Sequence, residues 1–432
     1  MVVNRGKFAD AVIAESTVDG GIRFERPSRM SSFTKPWKPP PVTWRIPYFR
    51  HDLGEAELAC LASVLQGEIL TTGDAVLEFE AKFAACLGAR HVLGVTSCTG
   101  ALHMALLALD IGSGDEVITT PMSFVATATA ILEAGATPVF VDVELETGNL
   151  DAARVEAAIT ARTKAILPVH LYGLMCDMRA LKGIADRHGL HLIEDAAHCI
   201  EGMRDGVRPS ELSDAACFSF YATKNLTCGE GGAIAANDDA VMERLKLLRL
   251  HGMTRMAQQS AREGYRHWDM VTMGWKYNMS NIEAALLLPQ FERMEAKLAR
   301  RHALADRYEQ AFTGMDGIKL PCSRPESVHA RHIYTVWCDG CARDDLMTHL
   351  HSERIGAVVN YRAIHLMSYF VERYGYCRGD FPVAEWIGDR TISLPFYPEM
   401  PLNDVDVVVE AVGRFLGRPH QQQGVAGRER RA

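Results

Sequence analysis

The chain has 432 residues, more than one ordinary domain of about 100–200, so a large domain followed by a smaller one is the natural expectation. Apolar residues at 48% and charged residues at 23% lie near globular averages and exclude wholesale disorder, a coiled coil or a collagen-like repeat. Lys and Arg number 46 against 54 Asp and Glu, a net charge of −8 that offers a nucleic acid only the terminal cluster Arg428, Arg430 and Arg431, read as a solvated end.

Residues 1–45 read as an N-terminal arm, because Pro36, Pro39, Pro40, Pro41 and Pro47 favour extended polyproline geometry over helix. From Glu55, apolar residues recur at helical spacing (Leu58, Leu61, Leu65), and after the break at Thr71, Thr72 and Gly73 they resume at Val76, Phe79 and Phe83. Short β-rich runs then alternate with helix-length segments. Strands are expected at 91–95, 116–119, 138–141, 164–169 and 191–193, with helices at about 99–109 and 124–134. That alternation implies right-handed crossovers and a mainly parallel sheet covered on both faces. Further strands are expected at 215–220 and 232–236. One helical region, about 280–312, leads out of the sheet toward smaller elements: strands at 332–337, 357–361 and 391–394, and helices at 344–353 and 402–416. The expected organisation is an arm at 1–45, a large domain at 46–300, a small C-terminal domain at 301–418 and a polar tail at 419–432.

Eleven scattered cysteines without secreted-domain spacing fit a reduced, cytoplasmic compartment. Cys338 and Cys341 form the sole CxxC, half of a zinc site with no second half, and read as ordinary thiols; no metal is expected. No apolar run reaches the roughly 18 residues of a membrane span, and the first residues lack the apolar stretch of a secretion signal.

In open parallel sheets ligands bind beyond the carboxyl ends of the strands, where helix N-termini and loop amides converge. Three segments fall at such ends. Ser97–Ala101 is a run of small and hydroxyl residues opening a helix, fit for a phosphate or equally a plain N-cap by Ser97 or Thr99. Glu194 and Asp195 crown an apolar strand; Asp195 wants a positive counterpart, though an ordinary salt bridge or cap would satisfy it, and His198 taken alone reads as a structural histidine. Lys224 follows another apolar strand and precedes Gly229, Gly231 and Gly232, a place where a lysine is desolvated and made nucleophilic, although most lysines simply snorkel. An anion cradle, a carboxylate and an amine together are what pyridoxal phosphate requires.

The motifs Ser97-Cys98-Thr99-Gly100-Ala101-Leu102-His103, Gly114-Asp115-Glu116, Pro121-Met122-Ser123-Phe124, Ile193-Glu194-Asp195-Ala196-Ala197-His198, Ser219-Phe220-Tyr221 with Thr223-Lys224-Asn225, Gly229-Glu230-Gly231-Gly232 and Tyr277-Asn278 resemble, in order, those of the DegT/DnrJ/EryC1/StrS sugar aminotransferases. The resemblance runs from Ile46 to about Gly417. It implies an α/β fold, the pyridoxal-phosphate transferase fold of type I, with a mainly parallel seven-stranded sheet between helices and a smaller C-terminal α+β domain.

Carried over by position, it implies that Lys224 forms the Schiff base with pyridoxal 5'-phosphate and shuttles the proton, and that Asp195 pairs with the pyridinium nitrogen. His198 would meet the phenolic oxygen and Phe124 would stack on the ring. The amides of Thr99 and Gly100, with the Ser219 hydroxyl, would hold the phosphate, and Asn278 would reach the phosphate of a neighbouring subunit; a helix cap before Ser280 is its plainer role. A homodimer with shared active sites follows. Asn360 and His365 would face the substrate, His365 having a solvent-facing structural role as its alternative.

Asn360-Tyr361-Arg362 departs from the family's His-Tyr-Pro or His-Phe-Arg, which leaves the sugar open. Lys224-Asn225-Leu226-Thr227-Cys228 and Tyr361-Arg362-Ala363 are nearest to the branch that aminates 4-keto nucleotide sugars with L-glutamate, in a ping-pong cycle. A ketocyclitol aminotransferase and a regulator that binds the cofactor without turnover are the competing readings. Intact Lys224, Asp195 and Ser219, and the absence of a basic or helix-turn-helix segment, weigh against the regulator.

Overall fold

A computed structural model describes residues 44–254, 267–324 and 326–417. The arm expected at 1–45, apart from its last two residues, and the tail expected at 419–432 lie outside the described residues. Helices α1 (Glu55–Gln66) and α2 (Asp74–Leu87) lead in. Strands β1 (His91–Val95), β2 (Glu116–Thr119), β3 (Thr137–Phe140), β4 (Thr163–Leu167), β5 (His191–Asp195), β7 (Ala215–Ser219) and β8 (Gly232–Ala236) form one sheet, and β6 (Met203–Arg204) pairs apart from it with β10 (Ser327–Val328). Helices α3 (Cys98–Ala108) and α4 (Ala126–Glu133) follow β1 and β2.

The seven-stranded order is β1-β8-β7-β5-β4-β2-β3. Pairing is parallel from β7 through β3, whereas β8 runs antiparallel to both β1 and β7. The alternation of strands and helices is thus realised as a mainly parallel sheet, with one strand reversed. Successive residues pack on opposite faces: on β8, Ile234 and Ala236 join the cluster with Leu102 and Leu106, while Ala233 and Ala235 join Phe79, Phe83, Phe218 and Phe220. Among the aromatic contacts, the Phe83 and Phe218 rings meet edge to face at 5.0 Å.

Because β8 is reversed, its first residue lies at the same sheet edge as the last residues of its neighbours, Gly232 pairing with Val95 on one side and Ser219 on the other. A Cβ on Gly232 would overlap the Ser97 backbone. Glycine there lets the start of α3 close down on the sheet edge.

The expected helical region 280–312 is broken. Asn281–Leu287, capped by a Ser280/Glu283 capping box, passes into a tighter turn at Leu288–Arg293 carrying Pro289, and then into Met294–Phe312. This last helix packs with Leu402–Leu416 against the small sheet β12-β11-β9 (Thr391–Leu394, Tyr334–Cys338, Ile318–Lys319), around Tyr308, Val336, Val408 and Val412. The strand expected at 357–361 is instead extended chain touching β12 by one bridge, Val358 to Ser393, because Asn360 turns its backbone away to other partners. The amphipathic helix Met178–His188, capped by Asp177, was passed over in the sequence.

Gly232→Ala should lower stability by about 1–3 kcal/mol through overpacking at the Ser97 turn. Urea denaturation measures it, and an unchanged midpoint would show that the approach is not tight.

Candidate active site

A cavity of about 580 Å³ lies at the carboxyl edge of the large sheet. Thr99 follows β1, Phe124 and Thr127 follow β2, Asp195 ends β5, Ser219 ends β7, and Lys224 lies in the loop beyond β7; all line it, together with His198, Tyr361 and Asn360. The fold therefore brings together seven of the ten residues singled out in the sequence: Lys224, Asp195, His198, Ser219, Thr99, Phe124 and Asn360.

Asp195 is buried, and burial pushes its carboxyl up, while hydrogen bonds from Thr127 Oγ1 at 2.7 Å and the Ala197 amide at 3.1 Å pull it back. Thr127 escaped the sequence reading; it lies one helical turn beyond Ser123, whose hydroxyl it meets at 2.8 Å. Lys224 opens onto the cavity but is otherwise walled by protein. Burial draws its amine down from 10.5 to about 8, against the opposing pull of Cys98 and Asp195.

His198 Nδ1 accepts the Tyr172 amide at 3.3 Å, which leaves the proton on Nε2, 3.2 Å from the Tyr361 hydroxyl. Burial, then Lys224, hold the ring well below its usual value, so it is a neutral donor into the cavity. Tyr172 has φ 59°, a left-handed backbone that costs about 1–3 kcal/mol, and its groups serve three site residues. Its amide holds His198, its carbonyl accepts the His332 amide at 3.1 Å, and its hydroxyl donates to the Asn360 carbonyl at 2.6 Å. Neither Tyr172 nor His332 was legible as a site residue; the only local signal for Tyr172 is the glycine after it.

Ser97 is the N-cap of α3, its hydroxyl accepting the Gly100 amide at 3.0 Å. The Gly100 amide expected to face an anion is thus already engaged, and Gly100 is absent from the cavity wall because the Tyr277 ring closes over it, 3.1 Å from where a Cβ would stand. The Thr99 amide, one residue nearer the helix start, remains in the free first turn. Asn278 faces the Thr71–Thr72 turn rather than the cavity, donating to Thr72 Oγ1 at 2.7 Å and accepting from Lys276 at 2.6 Å; Ser280 caps the helix itself. His365 is neither solvent-facing nor on the cavity wall. It is fully buried, 3.1 Å from Glu385 and edge-on to Phe381. Among the described residues no cluster of His, Cys, Asp and Glu could hold a metal.

A sheet-edge cavity with a buried carboxylate, a desolvated lysine and a free helix start defines the class of enzymes that use pyridoxal phosphate. The model of the DegT/DnrJ/EryC1/StrS aminotransferase family matches residues 51–413. The spore coat polysaccharide biosynthesis protein SpsC of Bacillus subtilis (strain 168) is 40% identical over 373 residues, 85% of this chain and 96% of SpsC. The X-ray structure of S. venezuelae DesV in complex with a ketimine intermediate is 36% identical, with a TM-score of 0.79 over 84% of this chain and 95% of DesV. Spr1654 of Streptococcus pneumoniae in its PLP form is 28% identical, with a TM-score of 0.80 over 85% of this chain and 98% of that one. The chain belongs to the DegT/DnrJ/EryC1/StrS aminotransferase family and is a pyridoxal-phosphate-dependent aminotransferase of fold type I. The regulator without turnover falls away.

In the unfolded chain Lys224 keeps its proton to about pH 10.4, whereas in the folded protein it releases it near 8. Between those values the unfolded state binds more protons, so this group's contribution to stability rises with pH. Lys224→Met should therefore stabilise the cofactor-free fold at pH 7 by on the order of 2 kcal/mol, a gain that shrinks above pH 8. Denaturation at pH 7 and pH 9.5 checks it; a gain that grows with pH would contradict the assigned burial.

Proposed function

We propose that the enzyme moves an amino group from L-glutamate to the keto carbon of a nucleotide-linked sugar, a 4-ketosugar by nearest resemblance. The observation that carries this reading is the convergence of Lys224, Asp195 and the free start of α3 on one cavity that continues to Tyr48, Val358 and Asn360. When bound, pyridoxal phosphate supplies an electron sink for the bonds at the amine carbon.

The chain's own groups do the rest. Asp195, its carboxylate accepting from Thr127 and the Ala197 amide against the upward push of burial, would hold a proton on the pyridine nitrogen. The His198 Nε2–H would donate to the phenolic oxygen, and the exposed Phe124 ring would be the aromatic face against the heterocycle. The Thr99 amide and Ser219 hydroxyl would take the phosphate, with the positive end of the α3 dipole behind them. Lys224 Nζ would be the group that holds and moves the proton at the donor's alpha carbon. Tyr48 and Asn360, joined at 3.2 Å, stand where a sugar hydroxyl would be read.

The catalytic unit in this reading is a homodimer to which Asn278 contributes across the interface. Supporting it, Trp268, Met270, Val271 and Met273 leave apolar side chains exposed on the segment leading to Asn278. The division at about residue 300 into large and small domains belongs to the same proposal, as does a reduced cytoplasmic setting, which the eleven free cysteines suit. Among the described residues no helix is long and apolar enough to cross a membrane.

Borohydride reduction of the holoenzyme followed by peptide mapping should mark Lys224, and Lys224→Ala should lose roughly 10³-fold or more of its turnover. Glutamate alone should change the absorbance of the bound cofactor. Nucleotide 4-ketosugars should then be aminated in preference to scyllo-inosose; the reverse preference would replace the sugar assignment with the cyclitol one. Sedimentation should give a dimer, and a monomer with full activity would refute the shared site.

A further inference from the structure

Thr223, Lys224 and His332 line the active-site cavity and also a second, much smaller one, so these three side chains form the wall between the two. The second cavity measures about 20 Å³, room for a single water. Its far walls carry Arg301 and the Asp52–Lys297 ion pair at 2.6 Å beside the rings of Phe49, Phe396 and Tyr397, with Arg50 and His51 exposed at its mouth.

Among the described residues three buried nitrogens on this cavity have no hydrogen-bond partner: Lys297 Nζ, which keeps its ion pair with Asp52, and His332 Nδ1 and Arg301 Nε, in residues only 6% and 2% exposed. A buried polar group left unpaired is destabilising, and one water accepting from His332 and Arg301 removes that cost. The other ring nitrogen of His332, Nε2, lies 3.4 Å from Lys224 Nζ. If the lysine donates to Nε2, the ring's own proton must sit on Nδ1, where it points toward the small cavity. The remaining charges facing the ring are those of Lys224 and Arg301, both cationic, and the neutral His198 ring at 4.5 Å. Burial first, and then these cations, hold His332 well below its usual value, so it rests neutral and is free to accept.

We propose that His332 positions Lys224 and carries its proton: Nε2 accepts from the lysine, Nδ1–H donates to a water held in the small cavity, and a proton leaving the lysine exits by that route past Asp52. In the step, one Lys224 N–H bond breaks and an Nε2–H bond forms, while the Nδ1–H bond breaks and its proton joins the water. The electron pair left on Nζ is the one the amine needs to attack the cofactor's aldehyde, and the reverse path restores the starting tautomer. At neutral pH most of the amine is protonated, so capture of the cofactor depends on this exit. The inference rests on the reading of Lys224 given above.

The test uses the full-length apoprotein mixed with pyridoxal phosphate between pH 6.5 and 9, with bond formation followed by absorbance. His332→Phe, which keeps the ring shape without nitrogen, should slow capture at pH 7 by roughly tenfold or more. Added imidazole should restore part of the rate. Identical rates and pH profiles in the two proteins would overturn the proposal. Independently of any variant's folding, 15N-histidine NMR of the wild-type apoprotein should show His332 as the Nδ1–H tautomer, with His332→Gln identifying its signals; the Nε2–H tautomer would equally overturn it. Failure of borohydride to mark Lys224 in the wild type would instead refute the underlying assignment of that lysine.

Discussion

Holding a lysine and an aspartate out of bulk water around one cavity is the constraint on which the rest of this site depends. Desolvating either charge costs several kcal/mol unless other groups take over from water. Asp195 is answered by Thr127 and the Ala197 amide, and Lys224 by the nearby carboxylate and the His332 nitrogen. The same desolvation that costs stability makes the amine a nucleophile near neutral pH and keeps His198 and His332 uncharged beside it. Reactivity and marginal local stability therefore have one origin.

The parallel sheet turns that constraint into geometry. Strand ends are the places where the backbone leaves its ladder and side chains converge without further folding cost, and β1, β5 and β7 each deliver a different chemical group there. Reversal of β8 puts glycine at the same edge, where any side chain would hold α3 away. Tyr172 adds a second layer of order, its left-handed backbone fixing His198, His332 and Asn360 through three separate atoms.

Chemistry and selection come from different parts of the chain. The reacting side of the cavity is built on strand ends, whereas Tyr48, Val358, Asn360 and Tyr361 arrive from the entry segment and from irregular chain beside the small sheet. Loops held on a rigid frame are where such enzymes vary their acceptor without disturbing the reacting groups.

The sequence alone determined the elements whose signals are local. Short apolar β-rich runs and helical spacing marked the strands and most helices; Asp195 was legible because it crowns an apolar strand, Lys224 because it follows one just before a glycine turn, and Ser219 through the family resemblance. Only the tertiary structure decided the reversal of β8, the break at Pro289, the partners of Asp195 and Lys224, and the burial of His365 against Glu385. Lys224 and His332 are 108 positions apart, Tyr172 and Asn360 188. Contacts at that separation follow from how whole layers pack, and no local spacing of residues encodes them.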